Sequence, residues 1–230
     1  MRVQRITALL AALVAAPACT TTPITADRWI TIGEQDGVTV TARNDENPSM
    51  PVFRGVGEVN ATIFEVQAVL SDVSRQSEWM SYCAASRVVM AEDDVRWVYN
   101  RISMPDPVSL FVWDRDVVVR VETVMEESGT VIESRFEQAR SELVPVPERV
   151  VRTPRLRGHY RLTAISGQVT GVEYLVDADP GGDLPDWVKR RAARELPMKT
   201  ILGLRAQVER TRGNYSVEAL RWRTRVAARE

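Results

Sequence analysis

The amino-acid sequence predicts an α+β domain in which a curved antiparallel sheet wraps around a long C-terminal helix and leaves an internal cavity. Three observations predict it. Six segments between Ser86 and Ala178 are rich in β-branched and aromatic residues and are divided by short turn-forming stretches, as in consecutive antiparallel strands. From about Leu184 to about Arg210, the apolar residues Trp187, Val188, Ala192, Ile201, Leu202 and Val208 recur broadly at helical spacing. The element order is strands, one short helix, a long run of strands and a terminal helix. A bent sheet closing its apolar face over that of the terminal helix satisfies this order. A cavity remains wherever the side chains between them fail to fill the gap.

Each element has a local reason. Trp29 to Gly33 and Val38 to Arg43 read as short strands around Gln35-Asp36-Gly37, because Asp-Gly between alternating segments signals a hairpin. A third strand, Val52 to Val59, follows the polar loop Asn44 to Ser49. Thr62, three residues before Glu65, forms a capping box that opens a helix carrying Ile63, Val66, Val69 and Leu70 and ending near Ser71-Asp72. A turn or short helix then reaches Trp79. The strands Ser86 to Ala91, Val95 to Ile102, Asp116 to Met125, Thr130 to Ala139, Gly158 to Ile165 and Gly171 to Ala178 follow as an antiparallel meander. Asp179-Pro180-Gly181-Gly182 breaks the pattern before the terminal helix. Pro197 removes a backbone hydrogen bond inside that helix, which predicts a kink near Arg194. Gly213 to Glu230 is expected to be a short helix or disordered.

The N-terminus reads as a targeting segment. Arg2 and Arg5 precede an uncharged apolar run from Ile6 to Ala16, too short to span a bilayer, and Ala16-Pro17-Ala18 suits cleavage. Residues 1–18 are therefore expected to be a signal peptide and the chain an exported protein. Cys19 follows directly, so two readings stay open: a lipoprotein anchored through a lipidated Cys19, or ordinary cleavage after Ala18. Residues 19–28 read as a tether, 29–211 as one domain and 212–230 as a tail. Removal of residues 1–18 leaves 28 Lys+Arg against 31 Asp+Glu, which gives no bulk positive field to recruit nucleic acid. With Cys19 processed, Cys83 has no partner for a disulfide. One such Cys and the single His159 also fall short of a zinc or iron–sulfur site, so no metal or cofactor is expected.

Several stretches together resemble START domains (steroidogenic acute regulatory protein-related lipid transfer), over roughly Trp29 to Arg210. They are Phe53-Arg54-Gly55-Val56-Gly57-Glu58-Val59, Ser77-Glu78-Trp79, Pro107-Val108-Ser109, Asp114-Arg115-Asp116 and Val151-Arg152-Thr153-Pro154-Arg155-Leu156-Arg157-Gly158. The stretch from Val172-Glu173-Tyr174 through Asp179-Pro180-Gly181-Gly182 to Trp187 is similar to the bacterial members. The resemblance implies a helix-grip fold and non-covalent binding of one sterol, phospholipid or similar molecule in an internal tunnel, gated by the terminal helix and a neighbouring loop. Two departures stand out. Family members usually run Pro-Val-Ser directly into Arg-Asp, whereas here Leu110-Phe111-Val112-Trp113 intervenes. Arg115 fills the arginine position that pairs with a buried acid in some sterol binders, yet Cys83-Ala84-Ala85-Ser86 occupies the region where that acid is expected.

The candidate ligand-binding residues are Trp97, Tyr99, Met104, Arg115, Phe136, Tyr160, Tyr174, Trp187 and Ile201. Alternation places Trp97, Tyr99 and Arg101 on one face of their strand and Val98, Asn100 and Ile102 on the other, and either face can look inward. Val172, Tyr174 and Val176 form an apolar row. Arg115 reads either as part of a surface charge cluster with Asp114 and Asp116 or as a polar anchor at the tunnel end. His159 is expected to face solvent or to sit satisfied in the core, and Glu122 and Glu133, the acids proposed for a cavity, to face solvent. The basic face of the terminal helix is a solvated face or a dock for anionic headgroups.

The function expected is non-enzymatic binding, and transfer between membranes, of a lipid or sterol-like apolar molecule held in the cavity of a monomer that meets a membrane surface. The competing classes are a cyclase-like cavity enzyme of the same superfamily and a protein-interaction module with a collapsed cavity.

Overall fold

The computed structural model describes residues 28–43, 50–104, 106, 108–140, 142 and 144–227. The signal peptide, Cys19, residues 20–27 of the tether and the Asn44 to Ser49 loop lie outside them. Strands β1 (Ile30–Gln35) and β2 (Val38–Arg43) form the expected hairpin, with Asp36 at φ +49° and Gly37 at φ +71° in the left-handed conformation that a tight hairpin turn requires. After β3 (Val52–Val59) comes α1 (Ile63–Ser71), opened by the capping box. The Thr62 side chain accepts from the Glu65 amide at 3.2 Å and the Glu65 carboxylate accepts from the Thr62 amide at 3.0 Å. A 3₁₀ turn (Val73–Glu78) leads to β4 (Cys83–Glu92), β5 (Val95–Ile102), β6 (Asp114–Met125) and β7 (Val131–Gln138). Then follow β8 (Val150–Arg152), β9 (Arg155–Ser166), β10 (Val169–Asp179), α2 (Asp186–Arg210) and α3 (Ser216–Ala227).

The ten strands form one curved sheet in the order β1-β2-β3-β10-β9-β7-β6-β5-β4, with β8 attached in parallel to the start of β6. The expected antiparallel meander holds through β4, β5, β6, β7, β9 and β10, and only the short β8 stands off it. Since β3 pairs with β10, the chain must leave β3 through α1 and the 3₁₀ turn and begin β4 at the opposite edge. Three residues are too few for β8 to show a strand pattern in sequence. Residues 216–227, part of the presumed tail, are a helix that packs on α1. Tyr215 just before it donates to Asp72 Oδ2 at 2.8 Å, and Arg225 reaches Asp94 Oδ1 at 2.6 Å.

Helix α2 runs unbroken through Pro197, and its two halves meet different surroundings. From Met198 onward it is solid core: Ile201 and Leu204 are fully buried, each contributing roughly 2 kcal/mol of apolar burial. Glycines set this contact. A Cβ on Gly55 would stand 2.9 Å from Ile201 Cδ1 and 3.0 Å from Pro197 Cβ, and one on Gly203 would stand 2.1 Å from the Trp79 carbonyl oxygen. The helix therefore lies against bare backbone on both sides.

The substitution Gly203→Ala is expected to push α2 off Trp79 and to destabilise the protein by roughly 2 kcal/mol through overpacking. Equilibrium denaturation checks this, and an unchanged midpoint would show that the close approach is not needed.

Candidate ligand cavity

Sheet alternation and α2 together enclose a cavity of about 260 Å³. Its sheet wall is made by inward-facing alternate residues: Val98, Asn100 and Ile102 of β5; Arg115, Val117, Val119, Val121 and Thr123 of β6; Ser134 and Phe136 of β7; Tyr160 of β9; Tyr174, Val176 and Ala178 of β10. Gln67 and Leu70 of α1 close one side, and Leu184, Trp187, Val188, Ala192 and Leu196 lie across the top. The eight residue steps from Arg115 to Thr123 correspond to roughly 26 Å of strand, so the space is an elongated tunnel. Trp222 and Arg225 of α3, with Asp93 and Asp94 of the β4–β5 turn, line its far end.

Six of the sequence candidates, Met104, Arg115, Phe136, Tyr160, Tyr174 and Trp187, lie in this wall. Three do not. Trp97 and Tyr99 belong to the outer face of β5, where Tyr99 clusters with Val118 and Val144 under the Arg87 guanidinium and Trp97 packs against that cluster. Period two defines two faces, but only the chain following β7, which brings Val144 onto the outer one, decides which is inner. Ile201 is consumed by its contact with Gly55 and Gly57 and has no free surface. The wall also holds small aliphatics: Val98, on a β5 face that the sequence left open, and Val117 and Val119, which it did not single out. Their signal is the strand alternation itself.

The aromatic floor is compact: the Tyr160 and Tyr174 rings stack at 4.5 Å, with Phe136 6.0 Å and 6.2 Å from them. Burial pushes both phenols well above their ordinary range, and beside the Tyr174 phenol the Tyr160 hydroxyl makes no well-formed hydrogen bond among the described residues. Gln67 Oε1 and Asn100 Oδ1 are also buried without partners among the described residues. Cys83 lies in the wall, its thiol pushed up to about 11 by burial. At the cavity's side Tyr82, in a left-handed backbone conformation at φ +61°, donates to Glu195 Oε2 of α2 at 2.6 Å. Burial raises the Glu195 carboxyl, but bonds from Lys199, Tyr82 and Arg191 outweigh it and hold it at about 2.

Arg96 of β5 also lines the cavity and donates to the Ser71 carbonyl at 2.9 Å, whereas three acid-containing pairs of the sheet point outward. His159 meets Glu173 at 2.9 Å, Glu122 meets Arg120 at 2.8 Å, and Glu133 meets Arg161 at 2.9 Å. None of these residues lines the cavity. Among the described residues no group of three or more His, Cys, Asp or Glu side chains is placed to hold a metal.

A ten-stranded sheet, antiparallel except for β8, that grips a long helix over a largely apolar tunnel defines a helix-grip fold. The START domain model matches residues 24–212, and the chain belongs to that family. It is 31% identical over 185 residues to an uncharacterized protein of Pseudomonas aeruginosa, covering 80% of this chain and 89% of that one. Among solved structures it is similar to a STAR-related lipid transfer protein fragment from Xanthomonas axonopodis, with TM-score 0.71 and 29% identity over 79% of this chain and 98% of that one. It shares its fold with human StAR-related lipid transfer protein 5, with TM-score 0.71 and 20% identity over 79% of this chain and 86% of that one. The family match ends before α3.

The buried phenols make a pH prediction. Their folded pKa values lie above the unfolded value of about 10, so the folded state keeps protons that the unfolded chain loses. Their contribution to stability is fully present below about pH 10 and falls as pH rises beyond it. Denaturation midpoints from about pH 9 to 11 should decline, less steeply in the Tyr160→Phe/Tyr174→Phe double variant; identical slopes would refute the assignment.

Proposed function

We propose that this protein holds one lipid or similar apolar molecule in the tunnel and carries it, without covalent chemistry, between membranes of a bacterial envelope. The observation behind this reading is the wall, whose surface is mostly aliphatic and aromatic with a minority of polar atoms, as in sites that bury most of a ligand's surface. Hydrocarbon entering it leaves water at about 25 cal/mol per Å². The name of the Xanthomonas relative supports the same reading. Residues 1–18 supply export in this account, and a lipidated Cys19 anchors the monomer beside its membrane.

The entrance is assigned to the end where α2 begins. There Val108 packs with Leu184 and Val188, and Met104 and Val112 lie against them, while Leu110, Phe111 and Trp113 are 74%, 83% and 58% exposed and Trp187 is 48% exposed. Four large apolar side chains in water at one end suit insertion into a bilayer surface. The N-terminal half of α2 is the moving part. It covers empty space, it is latched by Tyr82, and it joins the anchored half at Pro197, where one helix hydrogen bond is missing.

Native mass spectrometry of the purified protein, followed by organic extraction, should find a lipid at near one to one. Turnover of an added ligand would favour a cavity enzyme instead, and an empty compact chain an interaction module. Val98→Trp, which puts an indole into the tunnel, should abolish uptake of a fluorescent lipid while circular dichroism stays unchanged; full uptake would place the ligand elsewhere. Replacing Phe111 and Trp113 by Ser should reduce co-sedimentation with liposomes by about tenfold or more, from the lost apolar burial of two rings. Undiminished co-sedimentation would remove the loop from the docking surface.

A further inference from the structure

Arg115 stands at the tunnel end beneath the start of α2, 3% exposed, and makes no ion pair among the described residues. Strand alternation is the reason. Asp114 and Asp116 project to the opposite face of β6, where Asp114 meets Arg101 at 2.9 Å and accepts from the Met104 amide at 3.2 Å, and Asp116 meets Arg152 at 2.7 Å. The guanidinium instead donates to three carbonyl oxygens, those of Trp113 at 2.5 Å, Gly181 at 2.9 Å and Pro180 at 3.3 Å. Carbonyl dipoles solvate the cation without neutralising it, and two of its five N–H donors stay unused. Burial penalises the charged form and lowers its pKa, which the Asp114 charge across the strand only partly offsets, so an opposite charge brought into the tunnel would relieve the remaining cost.

A second polar group faces the same space. The β5–β6 register sets Ile102 opposite Arg115 and Asn100 opposite Val117, so Asn100 is Arg115's diagonal neighbour on the inner face, about 7–8 Å away along the backbone. Its Oδ1 is buried without a partner among the described residues. Turning the amide over exchanges oxygen and nitrogen, which lets it donate to whatever Arg115 holds.

We propose that Arg115 and Asn100 receive the single anionic head, a carboxylate or a phosphate, of a long-chain amphiphile whose hydrocarbon lies along the inner faces of β5 and β6. This rests on the lipid-cavity reading above and names the ligand class. A neutral hydroxyl would leave the cation uncompensated. The aliphatic row Val117, Val119 and Val121 beyond it accepts a chain, and the next cation along the wall, Arg96 opposite Val121, already donates to the Ser71 carbonyl at 2.9 Å.

The test is displacement of Nile red, a neutral dye, from the purified protein. Hexadecanoic acid is expected to compete at a concentration about ten- to a hundredfold lower than hexadecan-1-ol, the worth of one hydrogen-bonded charge pair. Arg115→Met should erase that ratio while the alcohol still competes. Asn100→Asp, which places a carboxylate beside Arg115, should erase it as well and does not touch the carbonyl bonds that hold the neighbouring loops. A ratio is read within each variant, so general loosening of the fold would not produce the effect. Phosphatidylglycerol competing far better than both phosphatidylcholine and hexadecanoic acid would assign the anion to a phospholipid. Hexadecanoic acid as the strongest competitor would assign it to a free fatty acid. Equal potency of acid and alcohol on the parent protein, with no preference for phosphatidylglycerol, overturns the anion site and leaves the lipid cavity standing. Failure of the dye and of every lipid to bind overturns both.

Discussion

The close approach of α2 to backbone at Gly55, Gly57 and Gly203 is the constraint from which the cavity follows. At those positions the helix touches β3 on one side and the Trp79 carbonyl on the other, with no side chain to hold them apart. A helix clamped so tightly over β1 to β3 cannot also reach down to β5 and β6 across the bend of the sheet. The side chains waiting there are valines, too short to fill the interval. The cavity is thus the geometric result of tight packing elsewhere, an exception to the close packing of the rest of the interior.

The same alternation that makes the void apolar makes the outer face ionic. Asp116 pairs with Arg152, Asp177 with Arg155 and Arg157, and Glu173 with His159. Glu173 sits below the usual carboxylate range chiefly because His159 hydrogen-bonds it. With its aspartate neighbours committed outward, Arg115 is left as an inward cation. Charge separation between faces of one strand, two residues apart, turns an ordinary Asp-Arg-Asp sequence into a site with a sign.

Motion and binding meet at α2. Its C-terminal half shares the core with α1 and β3, whereas its N-terminal half is held by Tyr82, Glu195 and a few apolar contacts at Leu184 and Val188. Local opening there costs only those contacts, while global unfolding costs the core, so ligand exchange can proceed without loss of the fold. The far end is closed by α3, a helix beyond the family match, through Trp222 and the Arg225–Asp94 pair.

Local chemistry was legible in the sequence: the Asp36-Gly37 hairpin, the Thr62–Glu65 capping box, the strands from β4 to β7 and the long terminal helix each depend on residues close together in the chain. The Phe53 to Val59 stretch and the Asp114-Arg115-Asp116 triplet pointed to the family for the same reason. Which face of β5 looks inward was decided only by tertiary structure, because period two gives Trp97 and Val98 equal claims until Val144 from beyond β7 covers one side. The pairing of β3 with β10, the three-residue β8 and the burial of Ile201 on two glycines likewise depend on partners more than a hundred residues away or on strands too short to announce themselves. Arg115 shows the division most plainly. Its flanking acids suggested a neutralised surface cluster, and only the pleat, sending them outward to Arg101 and Arg152, left it facing the tunnel with no ion pair among the described residues.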